Sequence, residues 1–350
     1  MTPEWKEFLV NAGAEIQDDC VTNFGNPDLE LRVVTTGNVI ADLSHMGLLC
    51  IRGEDAQSFL QGQLTNDVRA VSETRSQLTA YCSPKGRMLA NGRLFLRDGA
   101  YYLRQPREML DAILKRLRLF VLRARVTLED ATDSLVHFGL SGPTAEAELQ
   151  NALGAIPDAV DAVIRCGEVT AIRIHGPRPR FELYGPVDEM KRLWTALDVQ
   201  GVPIGATPWA LLDILAGVPT VYPETVEAFV PQMVNLQLLN GVSFNKGCYT
   251  GQEVIARTQF LGKLKRRMYR AHVDTGTAPK PGDELYSPAT EPGQSAGRIV
   301  DAKPWPDGGF EVLAVVQIAN VETTAVRLGG PEGPELHFGE LPYAFEPPEA

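Results

Sequence analysis

The sequence has few cysteines, and they do not stand in a pattern that binds metal. They are Cys20, Cys50, Cys82, Cys166 and Cys248, with no CxxC pair and no Cys/His ligand spacing. A disulfide framework and a zinc site are therefore not expected. The odd number and wide scatter of the thiols instead suit a reducing compartment, where they stay reduced.

Long apolar runs are also missing. No stretch approaches about 18 consecutive apolar residues, and the opening MTPEWKEFLVNAGAEIQDD lacks a basic segment followed by an apolar one. We therefore expect no membrane span and a cytoplasmic location. Basic charge is in deficit, with 33 Lys and Arg against 44 Asp and Glu. This balance argues against DNA as a partner, and an RNA contact would need a local basic patch.

The length of 350 residues and the globular composition predict two or three domains. Pro106 predicts the start of a helix with one apolar face, and Thr207-Pro208 predicts another, WALLDILAG, that stops at Gly217. Strands on either side of two helices in residues 134–198 indicate a split βαβ unit. After Arg270, strands punctuated by Pro and Gly predict a small antiparallel β domain, ending in the tail LPYAFEPPEA. The predicted apolar face of the Pro106 helix comprises Met109, Leu110, Ile113, Leu114 and Leu117.

The segment NKGCYTGQEVIART, residues 245–258, carries the most specific pattern. Thr250 and Glu253 form the T-x-x-E sign of a capping box, which places a helix start at Gly251. Cys248 then precedes the positive end of the helix dipole and stands two residues from Lys246, and both influences favour a thiolate. From the residues alone, a plain helix start with Cys248 as a small buried residue is the simpler interpretation.

The string KGCYTGQE, followed by Arg257, closely resembles the signature of the YgfZ family. These proteins are folate-binding, iron–sulfur-related relatives of the aminomethyltransferase (T protein) of the glycine cleavage system. GEDAQSFLQGQLTNDV (53–68), SPKGRM (83–88) and the lead-in FVPQMVNLQLLNGVSF are similar too, so that the resemblance spans roughly residues 40–270.

The resemblance implies an α+β fold, the GcvT/YgfZ-like three-domain ring. Two interleaved α/β domains, one of them ferredoxin-like, would be followed by a C-terminal antiparallel β-barrel. The implied domains are a GcvT-like folate-binding region at 28–130 with 205–265, a ferredoxin-like split βαβ domain at 131–204, and the β-barrel domain and tail at 266–350.

The resemblance also implies a pterin pocket that binds tetrahydrofolate or a derivative. Trp209 matches the tryptophan that opens the family's W-x-x-x-x-I-E-A-G helix, and an indole face stacks on a flat pterin. Leu215 replaces the family's glutamate, and Asp213, about 200° round the helix, is no simple substitute. Met46 stands where one branch has a tryptophan, and Met stacks less well. The other residues expected at the folate site are Asn66, Asp67, Gly247, Tyr249, Gln252, Glu253 and Arg257.

Paired aspartates of the aminomethyltransferase are replaced here by Ala90-Asn91, and neither residue is an acid or base at neutral pH. Classical aminomethyl transfer is therefore not expected. By the resemblance, Cys248 is the reactive residue and Lys246 keeps it ionised. A stable cluster needs several thiolates, so we expect no permanent metal site. A labile iron–sulfur cluster shared with a partner, or a transient covalent adduct, suits a lone thiol better.

The leading hypothesis is a folate-binding accessory protein for iron–sulfur cluster assembly or repair. It would support client enzymes such as tRNA methylthiotransferases, and its partners would be those enzymes or assembly proteins. One alternative is a tetrahydrofolate-dependent one-carbon (aminomethyl) transferase, which Ala90-Asn91 and Leu215 disfavour. A second is a non-catalytic RNA- or protein-binding scaffold, which the cysteine motif disfavours. Whether there is catalytic turnover is left open.

Two basic runs, KRLRLFVLRAR (115–125) and KLKRR (263–267), stand out in this acidic chain. They predict either a docking patch, for weak tRNA binding or for an acidic protein, or simply solvated faces of a helix and a strand. The second interpretation is favoured, because most charge runs are solvated.

Overall fold

The computed structural model of this protein describes residues 1–291, 294–321 and 323–345. These residues form two compact units, each assembled from separate segments of chain. The first unit comprises Met1–Leu60, Val68–Gln77 and Gly92–Leu212; the second comprises Gln61–Asp67, Leu78–Asn91 and the described residues from Asp213 onward. The division into three domains at the boundaries given above stays a prediction.

Both units contain helices and strands. The helices are α1 (Pro3–Asn11), α2 (Pro27–Val33), α3 (Ala56–Gln61), α4 (Arg107–Arg118), α5 (Ala145–Leu153), α6 (Val187–Leu197), α7 (Ala206–Leu215), α8 (Gln252–Phe260) and α9 (Ile318–Val321). Short 3-10 helices lie at Val68–Ala70, Thr132–Ser134, Pro223–Thr225 and Pro231–Val234. In the described part of the chain, no helix combines the length and the apolar composition that a membrane crossing requires.

The strands group into sheets that are mostly antiparallel. They are β1 (Glu15–Gln17), β2 (Cys20–Asn23), β3 (Val39–Asp42), β4 (Met46–Arg52), β5 (Gln77–Cys82), β6 (Met88–Arg97), β7 (Ala100–Pro106), β8 (Thr127–Asp130), β9 (Val136–Ser141), β10 (Val163–Cys166), β11 (Val169–Arg173), β12 (Arg180–Gly185), β13 (Val202–Ile204), β14 (Arg266–Val273), β15 (Glu284–Tyr286), β16 (Gly297–Pro304), β17 (Phe310–Gln317), β18 (Arg327–Leu328) and β19 (Leu336–Gly339).

A six-stranded sheet of the first unit has the order β10-β11-β12-β9-β3-β13, and its β13/β3 pair is parallel. Between residues 134 and 198 the order is β9, α5, β10, β11, β12, α6, which confirms the strands and the two helices predicted there. The core that α1, α5 and α6 share with this sheet includes the fully buried Trp5, Phe138 and Trp194. Trp5 and Trp194 pack edge to face, with their ring centroids 5.7 Å apart.

A second sheet of the first unit places β4 between β7 and β8, and β7 also pairs with residues Arg93–Arg97 of β6. Helix α4 begins directly after Pro106, and its buried side chains are the five that the apolar periodicity predicts. A Cβ at Gly47 of β4 would lie 2.6 Å from Leu110 Cδ1. The missing side chain at Gly47 therefore lets α4 lie close against β4.

In the second unit, a six-stranded antiparallel sheet has the order β18-β15-β16-β17-β14-β19. Its buried side chains include Leu285, Ile299 and Val312. This curled sheet agrees with the expected C-terminal barrel. The predicted tail is not loose in its described part, residues 341–345, because Tyr343 Oη donates a hydrogen bond to Gly217 O at 2.8 Å and Phe345 packs on Tyr269. The rest of that tail lies outside the described residues.

Candidate functional site

Helix α8 carries the end of the cysteine motif, and backbone packing fixes where it begins. It runs from Gln252, one residue later than predicted, and Gly251 precedes it with a φ of 84°. Among the described residues no side chain caps this helix start, so the capping box predicted from Thr250 and Glu253 is wrong. A Cβ at Gly251 would come within 2.5 Å of Ser83 O. The helix start is therefore set by a close approach that glycine alone permits.

The partner in that close approach is a turn formed by SPKGR, residues 83–87, which belongs to the SPKGRM string of the resemblance. Ser83 N donates to Arg87 O at 2.8 Å and Gly86 N donates to Ser83 O at 2.9 Å. Gly86 has a φ of 69°, and a Cβ there would lie 2.9 Å from Val254 Cβ in α8. Glycines of two motifs far apart in sequence thus face each other at one junction.

Lys246 is buried and anchored to a neighbouring loop of the second unit. Its Nζ donates hydrogen bonds to Leu64 O at 2.5 Å and to Asn66 O at 2.8 Å. The ammonium also lies 4.8 Å from the centroid of the Tyr249 ring, a cation–π distance. These contacts fix the backbone on both sides of Cys248. The expected effect of Lys246 on the ionisation of Cys248 stays a prediction.

Cys248 is the exposed cysteine of the chain, whereas Cys20 and Cys166 are half-buried and Cys50 and Cys82 are buried. Burial raises the pKa of the Cys82 thiol to about 12, so Cys82 is protonated at neutral pH. Burial, and then the nearby Cys82, also raise the pKa of Tyr249. A reagent in solvent therefore meets the Cys248 sulfur first. The simpler interpretation, a Cys248 buried in the core, is wrong.

The loop at residues 65–67, Thr-Asn-Asp, is held by several hydrogen bonds. Asn66 Nδ2 donates to Leu78 O at 2.9 Å and to Asn240 O at 2.6 Å, and its Oδ1 accepts from Asp67 N at 2.9 Å. Asp67 Oδ1 accepts from Gln61 Nε2 at 3.0 Å. The side chain of Asn66 thus shapes the loop whose carbonyl groups receive Lys246.

The other residues near Cys248 that the resemblance places at the folate site differ in their exposure to solvent. Glu253 and Arg257 are exposed on α8, and Gln252 is half-buried. Gly247 is exposed, and a Cβ there would meet no described atom within 4 Å. The space beside the motif is therefore open at Gly247, immediately before Cys248.

Trp209 and Met46 belong to the first unit. Trp209 lies on α7 and is 3% exposed, and the guanidinium carbon of Arg180 is 4.6 Å from its ring centroid. A Cβ at Gly139 would come within 2.3 Å of the Trp209 ring edge. Met46, at the start of β4, is half-buried and pairs with Pro106. Stacking of a pterin on Trp209 stays a prediction.

Asn91 stands where the aminomethyltransferase resemblance places an aspartate, and its amide is used structurally. Asn91 Nδ2 donates to Pro219 O at 2.7 Å, and Asn91 Oδ1 accepts from Val221 N at 2.8 Å. The neighbouring Ala90 is buried and has no polar side-chain atom. Asn91 therefore joins β6 to the segment after α7 and does not carry acid–base chemistry.

Metal ligands do not gather in the part of the chain that the structure describes. No group of three or more His, Cys, Asp or Glu side chains there is arranged to hold an ion. The expected labile cluster would thus take one ligand from this chain, Cys248. That expectation stays a prediction.

The second unit also holds a group of charged residues that the sequence does not predict to lie together. Arg87, Arg266 and Arg298 come together at one cavity although they are far apart in sequence. The basic run KLKRR signalled Lys265 and Arg266. Nothing local signals Arg298, because its position follows from the pairing of β16 with β17.

The chain resembles known proteins over most of its length. Residues 23–236 match the family described as the GCVT N-terminal domain. The tRNA-modifying protein YgfZ of Klebsiella pneumoniae (strain 342) is 32% identical over 304 residues, which cover 87% of this chain and 92% of that protein. The protein of the same name from Enterobacter sp. (strain 638) is 33% identical over 307 residues, or 88% and 94% of the two chains.

A solved structure shows the same fold. The glycine cleavage system aminomethyltransferase T from Bartonella henselae superposes with a TM-score of 0.75 over 97% of this chain and 96% of that chain. The two sequences are 17% identical. This similarity shows the fold alone.

Proposed function

This chain belongs to the family of the GCVT N-terminal domain, together with the relatives named tRNA-modifying protein YgfZ, and from that membership we propose that it is a folate-binding protein of a tRNA-modification pathway. The observation that carries the proposal is the exposed Cys248 thiol within KGCYTGQE, the string that resembles the signature of the YgfZ family. We place this role in the cytoplasm, where thiols stay reduced.

Within that role, we propose that the chain assists iron–sulfur cluster assembly or repair in client enzymes such as tRNA methylthiotransferases. Cys248 would contribute one thiolate to a labile cluster, and the partner protein would supply the other ligands. The buried Cys82, whose thiol has a pKa of about 12, is unsuited to that task. The anchored Lys246 supports the proposal, since it holds the motif's backbone rigid next to an accessible sulfur.

The folate part of the proposal rests on Trp209. Trp209 is 3% exposed and the guanidinium of Arg180 lies over its ring, so a pterin that stacks on the indole would have to displace Arg180. Leu215 has no side-chain acceptor for the N–H groups of a pterin. The tryptophan therefore suits the flat pterin ring, whereas Leu215 does not suit the polar edge of that ring. A bound folate would supply or accept a one-carbon group. The bonds that Asn91 makes to Pro219 and Val221 disfavour an aminomethyl transferase of the known type.

The proposal is tested by replacing the thiol in a strain that lacks its own family member. Cys248→Ala should lower methylthiolated tRNA at least tenfold, as measured by mass spectrometry of tRNA nucleosides, because the proposed thiolate ligand is gone. The thermal midpoint of the purified protein should stay unchanged, since Cys248 is exposed. Cys166→Ala, at a half-buried cysteine outside the motif, serves as the control and should retain the modification. Full complementation by Cys248→Ala would exclude the thiol mechanism.

A further inference from the structure

The second unit contains a cavity of about 570 Å³ whose lining differs from the Cys248 site. Its charged lining is dominated by four cations, Arg87, Lys265, Arg266 and Arg298. Arg87 closes the SPKGR turn, and Arg298 lies on β16. Arg266 begins β14, and Lys265 immediately precedes that strand. The fold thus brings basic side chains from three distant segments to one space.

Two of the guanidinium groups are held in place by backbone carbonyls. Arg87 Nη1 donates to Ala228 O at 2.6 Å, and Arg266 Nη2 donates to Ser295 O at 2.8 Å. A carbonyl oxygen orients a guanidinium but does not neutralise its charge. Each group keeps further N–H donors beyond the one used in these bonds, since a guanidinium has five.

Among the residues that the structure describes, the cations outnumber the carboxylates at this cavity. Glu227 is the acidic side chain in its lining, and Arg298 pairs with Glu284 at 2.9 Å. Burial, followed by the proximity of Arg298 and Arg87, lowers the pKa of Arg266. Gathering like charges raises the free energy of the folded state unless an anion is bound. The cavity is therefore prearranged for a negatively charged ligand.

The rest of the lining is apolar and includes the buried side chains of Phe229 and Val315. A volume of this size is typical of pockets that hold small molecules. Guanidinium forks match phosphate oxygens in pairs, whereas an apolar wall suits a flat base. We propose that this cavity binds a nucleotide unit, with its phosphate on the cations and its base against the apolar wall. The unit comes either from a free nucleotide or from an RNA strand.

Lys265 and Lys263 provide a matched pair for the test. Both are exposed lysines of the same basic run, but Lys265 lines the cavity and Lys263 does not. Binding of ADP is measured by calorimetry, and binding of a fluorescein-labelled adenine ribo-decamer by anisotropy. Lys265→Gln should weaken binding about tenfold, as expected for a lost bond between charged groups. Lys263→Gln should change it by less than about twofold.

The two probes distinguish the sources of the nucleotide. Tighter, strongly salt-dependent binding of the decamer indicates RNA, and binding of ADP alone indicates a free nucleotide. Arg298→Gln should reproduce the effect of Lys265→Gln. Cys248→Ala should bind like the wild type, so that this inference and the proposed function can fail separately.

Three results would overturn the inference. The first is no binding of either probe at millimolar concentration by the wild-type protein. The second is an equal loss in Lys265→Gln and Lys263→Gln, which indicates a diffuse charge effect. The third is displacement of ADP by an equal concentration of triglutamate, which indicates a site for carboxylates.

Discussion

Single residues of this chain show how the same side chain can fit two roles. Trp209 is expected from the resemblance to stack on a pterin, and in the structure it is a core residue packed on Gly139 and under Arg180. Asn66 is expected from the resemblance to line the folate site, and in the structure its amide donates hydrogen bonds to the carbonyls of Leu78 and Asn240. Residue identity in a motif therefore does not separate a ligand contact from a structural contact.

Quenching of tryptophan fluorescence separates these roles for Trp209. Titration with a reduced folate should quench the tryptophan fluorescence of the wild-type protein, because a stacked pterin accepts excitation energy from the indole. The quenching should disappear in Trp209→Phe. Trp305→Phe, at a half-buried tryptophan of the second unit, should retain it and corrects for absorption by the ligand. No quenching at millimolar folate, or equal quenching in Trp209→Phe, would exclude Trp209 as the stacking residue.

At the scale of elements, local patterns predicted the helices well and their ends less well. The apolar face of α4 was predicted fully, since it depends on spacing within one helix. The T-x-x-E pattern wrongly predicts a capping box at the start of α8. The pattern is local, whereas the packing of Gly251 against Ser83 and Gly86 depends on residues distant in sequence. The cationic cavity escaped prediction for the same reason, as Arg298 reaches it through strand pairing.

A pair of glycine substitutions tests how α8 is held. Gly251→Ala should lower the free energy of unfolding by roughly 1–3 kcal/mol, because a side chain would be forced into a left-handed conformation and toward Ser83 O. Gly247→Ala is the control, since its Cβ would point into open space, and it should cost less than about 0.5 kcal/mol. Urea unfolding measures both. An equal effect of the two substitutions would contradict the packing account.

On the scale of the whole molecule, the resemblance carried by KGCYTGQE is confirmed by relatives that cover most of the chain. The GcvT-like α+β fold is confirmed as well. Composition and periodicity alone predict only that the chain contains a split βαβ unit and a small antiparallel β domain. They could not show that each compact unit is built from separate segments, since that depends on contacts between residues distant in sequence.

Two buried groups of the first unit make opposite contributions to the pH dependence of stability. Burial lowers the pKa of His137 to about 4, so its contribution to stability is lost as the pH falls from about 6.5 to 4. Burial raises the pKa of Asp42 to about 6, so its contribution is lost as the pH rises through that value. Each shift corresponds to about 3 kcal/mol, and the two contributions nearly cancel between pH 4 and 6.

Asp42→Asn should remove that cancellation. Its free energy of unfolding should fall by about 3 kcal/mol more than that of the wild type when the pH is lowered from 6.5 to 4, because His137 then acts alone. Denaturant titrations at several pH values measure the difference between the two profiles, to which all other groups contribute equally. Parallel profiles for Asp42→Asn and the wild type would show that the Asp42 carboxyl group does not titrate as described.

Segments of the two units alternate along the chain, which limits the positions at which related genes can be recombined. Residues 61–67 and 78–91 emerge early from the ribosome but pack with chain made after residue 212. Any contiguous fragment that contains all segments of one unit therefore also contains segments of the other. A crossover between codons 61 and 212 would join segments from different parents within both units, so we expect viable chimaeras of this protein to inherit residues 61–212 from one parent.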